Sequence, residues 1–339
     1  MKTMRFAILG CGFWARYQVA AWREIPGVEC VALFNRTRGK AEALAAEFGV
    51  PAVYDDAGEL LRHERLDFVD IITDPGTHRE FVELAAAHGV PVICQKPMAP
   101  TLADARAMVT ACEAAGVPLL IHENWRWQSP MRALKAVLET GSIGVPFRAR
   151  IDFVTSFPVF ENQPFLKELD QFILVDIGTH VLDCVRFLFG EAQRLYATTR
   201  RVNPQIKGED VATVVTTHGE CTVVANMSYA SRTAHEKFPE TFVFVEGTEG
   251  SVEISRDCLL SVTTKSGTQH RRVPPPVYGW ADPAYALVHS SIVDCHRNVL
   301  ETLRGTGVTE TTAADNLRTL KLVFAAYESA ASGQSIPFP

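Results

Sequence analysis

The chain has 339 residues, enough for about two domains of ordinary size. Its residues are 47% hydrophobic and 21% charged, and no apolar run approaches the roughly 18 that span a bilayer, which excludes a membrane-crossing helix and bulk disorder. Lys and Arg number 33 against 39 Asp and Glu, a net charge of −6, which provides no footprint for nucleic acid or an anionic membrane and points to a small-molecule partner.

Met1-Lys2-Thr3-Met4 leads into an apolar stretch of about five residues and then a glycine turn, too short for a signal-peptide core, so a cytoplasmic location is expected. The eight cysteines are dispersed without a Cys-x-x-Cys pair and are expected as reduced, buried thiols. From residue 4 to residue 121, short apolar runs at 4–9, 30–34, 68–72, 92–94 and 119–121 alternate with helix-length amphipathic segments near 13–24, 38–48, 77–88 and 101–115. Runs that are hydrophobic on both sides, separated by helices, predict a mostly parallel, doubly wound α/β sheet. Thr101 with Asp104 three residues later predicts a capping box at the start of the fourth helix.

The first run feeds into Gly10-Cys11-Gly12-Phe13-Trp14-Ala15, a G-x-G-x-x-A string that opens a helix. Gly10 permits the tight turn, Gly12 lets a pyrophosphate approach the backbone, and Ala15 lets helix and strand pack closely under a helix N-terminus that favours anions. The second run ends at Asn35-Arg36-Thr37-Arg38, where an NAD-preferring site carries a carboxylate for the ribose hydroxyls. Arg36 and Arg38 around a neutral Asn35 suit a 2′-phosphate instead, so the expected cofactor is NADP, with NAD as the alternative.

Further along, Thr73-Asp74-Pro75-Gly76-Thr77-His78 follows one apolar run and Cys94-Gln95-Lys96-Pro97 follows the next. His122-Glu123-Asn124-Trp125-Arg126-Trp127 marks a domain junction, and Asp176-Ile177-Gly178-Thr179-His180-Val181-Leu182-Asp183 has the form D-x-G-x-H-x-x-D. Together these segments resemble the glucose–fructose oxidoreductase / inositol dehydrogenase / MocA family over nearly the whole chain. The resemblance implies an N-terminal Rossmann domain, 1–124, and an α+β C-terminal domain, 125–339, with a large open, mainly antiparallel sheet for substrate binding and oligomerisation. It also implies an NAD(P)-dependent oxidoreductase that moves hydride between the nicotinamide and a sugar, cyclitol or related polyol. One departure is Gln95, where the family usually has glutamate beside the lysine, so the charge environment of Lys96 differs.

Lys96 at a parallel strand's C-terminal end suits polarisation of the reacting oxygen. Spacings of four and three place Asp176, His180 and Asp183 on one helix face, a constellation suited to acid–base work. By resemblance His180 is the general base, with Asp176 orienting it or gripping substrate hydroxyls, and Asp183 is either part of the site or a structural hydrogen-bonding residue. A divalent metal on this face is disfavoured, because no second His stands at helical ligand spacing. The expected cofactor contacts are Gly10, Gly12, Phe13, Trp14, Ala15, Asn35, Arg36, Arg38, Thr73, His78, Gln95, Lys96, Pro97 and Asn124. The expected substrate contacts are Lys96, Asn124, Arg126, Asp176 and His180. Trp125 and Trp127 fit a cleft wall and plain packing equally.

Beyond residue 128 the pattern predicts a helix at 129–139, strands near 146–156, 193–202, 211–217, 221–229, 241–246, 250–255 and 258–264, and helices near 284–304 and 312–332. The stretch 274–280 reads as a loop whose Tyr278 and Trp280 either cover a sugar face or pack against the fold. A broad sheet with one face bare of helices predicts a homodimer or higher oligomer. Two other readings stay open: a redox-neutral sugar transferase or glycosidase with recycled, tightly bound NAD(P), and a non-catalytic dinucleotide or sugar sensor.

Overall fold

The computed structural model describes residues 3–234 and 238–338; Met1 and Lys2, which open the N-terminal reading, lie outside them. The described residues form two compact units. The first runs to Asn124 in the order β1 (Met4–Leu9), α1 (Phe13–Trp22), β2 (Val28–Phe34), α2 (Arg38–Phe48), β3 (Ala52–Tyr54), α3 (Ala57–His63), β4 (Phe68–Ile71), α4 (Pro75–Ala87), β5 (Val92–Gln95), α5 (Leu102–Ala115) and β6 (Leu119–His122). Its six strands pair in parallel in the order β3-β2-β1-β4-β5-β6, the doubly wound arrangement of a dinucleotide-binding fold.

The local reasons are visible in the residues. The last four residues of β1, Phe6 to Leu9, are buried, and Phe6 stacks on Phe68 of β4 at 4.9 Å. Each large side chain so buried contributes about 1.5–3 kcal/mol. Helix α5 begins at Thr101, whose hydroxyl accepts the Asp104 N–H at 3.0 Å, the N-cap half of the expected box. Buried among these apolar groups is Asp70 of β4, which accepts the Trp22 indole N–H at 2.8 Å and whose carboxyl is pushed up to about 7 by desolvation.

The second unit contains α6 (Ser129–Glu139), β7 (Pro146–Val154), α7 (Val159–Asn162), a π turn (Leu174–Gly178) that continues into α8 (Thr179–Phe189), β8 (Arg194–Arg200), β9 (Val211–His218), β10 (Cys221–Ser228), β11 (Phe242–Gly247), β12 (Gly250–Ser255), β13 (Leu259–Thr264) and β14 (Gly267–Arg272). Then follow α9 (Ala286–Arg304), α10 (Ala313–Ser332) and β15 (Ile336–Pro337). The nine strands order as β14-β13-β12-β11-β7-β10-β9-β8-β15, antiparallel except for the β7–β10 pair. Along β9 and β10 every second side chain is buried and its neighbours are half-buried, which is the signature of a sheet with one core face.

The main division falls at 124/125, but 278–282 and 289–320, placed by sequence in the second domain, pack with the first unit. Side chains on α9 explain this: His296 stacks on Trp22 at 3.7 Å, and the Ser291 hydroxyl accepts from Asn124 at 2.8 Å. The loop aromatics likewise belong to the first unit. Trp280 stacks with Tyr278 and donates its indole N–H to Glu24 at 3.0 Å, so this residue anchors the loop.

Candidate active site

In the first unit the turn after β1 is shaped for close approach. Gly10 has φ +104, and a Cβ there would meet the Ile72 carbonyl oxygen at 2.7 Å, so only glycine fits. At Gly12, the N-cap of α1, a Cβ would stand in open space, and no side chain caps the helix. The first N–H groups of α1 are therefore left for an anion, and the glycine surface leaves room for it. Ala15 is fully buried, as close helix–strand packing requires.

A cavity of about 140 Å³ opens beside this turn, lined by Gly10, Gly12, Asn35, Arg36, Thr73 and Thr77 among others. Asn35 closes the bottom: its side-chain oxygen accepts the Cys11 N–H at 3.0 Å, and its amide donates to the Thr37 carbonyl at 3.0 Å. Arg36 is exposed on the rim. Arg38 is instead engaged by Glu42 at 2.9 Å, with Asp55 at 3.7 Å, so the expected arginine pair reduces to Arg36.

In the 73–78 turn Asp74 caps α4, which starts at Pro75, two residues before the expected helix, by accepting the Gly76 N–H at 2.9 Å. Thr73 holds its place through the Thr77 hydroxyl at 2.9 Å. His78 departs from expectation. Its ring is wholly buried, with its nitrogens 3.2 Å from the Met98 carbonyl and 3.1 Å from that of Thr73, and burial lowers its pKa. It braces the two loops, and its side chain does not line the cavity.

Phe13 and Trp14 form a ring cluster with Tyr17, on which His289 stacks at 4.0 Å. Phe13 remains 45% exposed over the glycine turn, whereas Trp14 is half-buried. Lys96 follows β5 at the C-terminal edge of the parallel sheet, half-buried, with a cis peptide to Pro97. Beside it the Gln95 side-chain nitrogen is buried without a hydrogen-bond partner among the described residues, a donor directed at no protein acceptor.

In the second unit the D-x-G-x-H-x-x-D segment is not one regular helix. A π turn over Leu174–Gly178 inserts an extra residue ahead of α8, and the three polar side chains separate in function. Asp176, half-buried, accepts the Tyr229 hydroxyl at 3.2 Å. Burial first, and then the neighbouring Asp176 charge, raise the Tyr229 phenol, which keeps it a donor. His180 lies flat on Trp125, with centroids 4.5 Å apart and planes 6° apart, and Phe153 also packs on that tryptophan, tilted, at 5.2 Å. Trp125 is thus a backing for the imidazole.

Arg126, expected among the substrate contacts, and Asp183, expected either in the site or as a structural hydrogen-bonding residue, pair with each other. The Arg126 guanidinium donates to both Asp183 oxygens, at 2.6 and 2.7 Å, and the two side chains are 6% and 0% exposed. A bidentate pair this buried is structural. Asn124 is likewise held, through Ser291 in its own unit. Sequence reasoning missed Tyr229 and Ser291 because each meets its partner across a long loop of chain, 53 residues from Asp176 and 167 from Asn124.

Comparison with known proteins now adds to the geometry. Residues 4–123 match an oxidoreductase family with an NAD-binding Rossmann fold, and residues 131–253 match the GFO/IDH/MocA C-terminal domain. The chain belongs to the GFO/IDH/MocA family. Within this family it is 47% identical to a D-apiose dehydrogenase of Paraburkholderia graminis over 99% of this chain and 90% of that protein. It is 43% identical to a D-apiose dehydrogenase of Rhizobium rhizogenes, over 99% and 98%. An oxidoreductase from Agrobacterium radiobacter, solved with NAD+, L-tartaric acid and magnesium, superposes with TM-score 0.97 at 43% identity, over 99% of this chain and 98% of that one. The GFO/IDH/MocA chain described here is a nicotinamide-dinucleotide-dependent oxidoreductase, a dehydrogenase. Among the described residues no helix is long and apolar enough to cross a membrane.

Proposed function

We propose that the protein oxidises a free branched pentose of the D-apiose type. The observation that carries this reading is the full-length similarity to two D-apiose dehydrogenases at 47% and 43% identity. The glycine turn with the uncapped N-terminus of α1 holds the pyrophosphate, and Thr73, Gln95 and Pro97 lie along the nicotinamide side. A nicotinamide dinucleotide held there would supply the acceptor for the hydride of the carbinol carbon. Lys96 polarises the hydroxyl oxygen and stabilises the charge that develops on it. His180, backed by Trp125, takes the hydroxyl proton, and Asp176 grips neighbouring hydroxyls. Hydride, proton and carbonyl then balance: the C–H and O–H bonds break and a C=O bond forms. A screen of aldoses by dinucleotide reduction tests the substrate, with D-apiose expected to give the highest kcat/KM; a hexose preferred by tenfold or more contradicts it.

For the cofactor, the reading keeps a lean to NADP, now on Arg36 alone. Arg36→Ala is expected to weaken NADPH about tenfold, the loss of one charge-assisted contact, and NADH less than about twofold. Fluorescence transfer from the five tryptophans to the reduced nicotinamide measures both. Equal losses, or none, remove Arg36 from phosphate recognition.

For the assembly, we infer a homodimer or higher oligomer through the outer sheet face. That face lines up Phe244, Arg150, Val224, Val215 and Tyr196 on adjacent strands β11, β7, β10, β9 and β8, with Arg150 and Tyr196 exposed and the three others half-buried. Val224→Glu is expected to dissociate it in light scattering; a wild-type monomer at every concentration contradicts the inference.

A further inference from the structure

Behind Asp176 lies a carboxylate that the reaction above does not use. Glu209, two residues before β9, is 8% exposed. Its side chain accepts the backbone N–H of Leu174 at 3.1 Å and of Phe172 at 3.2 Å, and the Tyr327 hydroxyl of α10 at 2.6 Å. Its main-chain carbonyl accepts the N–H of Ile173 at 3.1 Å. One residue thus satisfies three successive N–H groups at the start of the helix that enters the π turn, where the chain otherwise has orphan donors. Tyr327, half-buried and next to the Glu209 charge, has its phenol pushed up by desolvation and that charge and stays a donor. Such wide turns are rare and occur mostly as single bulges inside α-helices. This one carries Asp176, and the Asp176 N–H itself bonds back to the Phe172 carbonyl at 2.8 Å, within the segment that Glu209 fixes.

We propose that Glu209, buttressed by Tyr327, is a positioning residue that pins the start of the wide turn and so presents Asp176 to the substrate. The proposal rests on the role given to Asp176 under the functional reading. Removing the carboxylate takes the side-chain acceptor from the Phe172 and Leu174 N–H groups and leaves only the main-chain bond at Ile173, and the turn relaxes toward other windings that point Asp176 elsewhere.

The test compares Glu209→Ala with the conservative Glu209→Gln, whose amide oxygen keeps an acceptor, in the full chain and with two readouts. Hydrogen exchange needs no substrate: amides at 172–180 are expected to exchange at least about tenfold faster in Glu209→Ala while β9 and β10 keep their protection, and unchanged exchange overturns the proposal. In turnover, kcat is expected to fall about 30-fold or more with dinucleotide affinity within about twofold, and to return to within about fivefold in Glu209→Gln. Added to Asp176→Asn, the alanine change is expected to cost less than about threefold further, because it acts through Asp176; full multiplication of the two losses overturns the proposal.

If Glu209→Ala does not fold, Tyr327→Phe, which removes one hydrogen bond, is expected to give the same pattern at about threefold amplitude, and no change in either readout overturns the proposal. Faster exchange at 172–180 in a protein whose wild type oxidises no sugar contradicts the functional reading alone and supports the brace.

Discussion

Lys96→Met is expected to lower turnover about 10³-fold while the protein stays folded and binds dinucleotide within about threefold of wild type. The reason is local. Lys96 stands at the carboxyl end of β5, half-buried, on the edge where parallel sheets present their ligands. In the proposed reading the dinucleotide is held mainly elsewhere, by the Gly10–Gly12 turn, the uncapped start of α1 and the Asn35–Arg36 rim. Methionine keeps the length and apolar stem of lysine and removes only the ammonium, so the loss reads the charge that stabilises the forming alkoxide. Single-turnover hydride transfer, followed by the absorbance of reduced nicotinamide, isolates this step from product release. Turnover within about tenfold of wild type would take Lys96 out of the chemistry.

Arg126→Met is expected to destabilise the second unit by about 3–5 kcal/mol, because it strands the fully buried Asp183 carboxylate without its bidentate partner. Arg186 cannot replace it, since its guanidinium lies 3.9 Å from Asp183 and is already engaged by Glu191 at 2.7 Å. The double change Arg126→Met with Asp183→Leu is expected to recover most of the loss, as an apolar pair of similar volume carries no desolvated charge. Denaturant unfolding followed by the fluorescence of Trp125 and Trp127 measures the difference. A single variant as stable as wild type, with lost substrate affinity instead, would return Arg126 to the substrate set.

The parts of the fold that repeat a local rule were legible in the sequence. Strand, glycine turn and helix at 4–24 announced the dinucleotide fold because Gly10 has a steric reason for its position and Gly12 opens an uncapped helix, and helix α6 was read with its observed limits. Elements without an apolar rhythm escaped. Strand β14, Gly267–Arg272, is exposed throughout and polar, and β3 is three residues long. The wide turn at 174–178 carries no marker either: Leu-Val-Asp-Ile-Gly is compatible with an α-helix, and what winds it otherwise is in part Glu209, far along the chain.

The same reason separates the site residues whose position follows from the local sequence from those whose partners do not. Lys96 sits where motif and strand end put it. Asp183, His78 and Arg38 have the chemistry of ligand-binding groups, but Arg126, two backbone carbonyls and Glu42 already engage them, and such pairings become visible only in three dimensions.

The dehydrogenase reaction couples sugar oxidation to reduction of a nicotinamide dinucleotide. Its most direct test is steady-state reduction of NAD+ and NADP+ by purified protein supplied with D-apiose, with Lys96→Met as the control. The account predicts stoichiometric formation of reduced cofactor and oxidised sugar by wild type, and loss of nearly all of it in the variant. Folded protein that binds dinucleotide yet reduces none with D-apiose or other aldoses, or that converts sugar with no net reduction of cofactor, would contradict it.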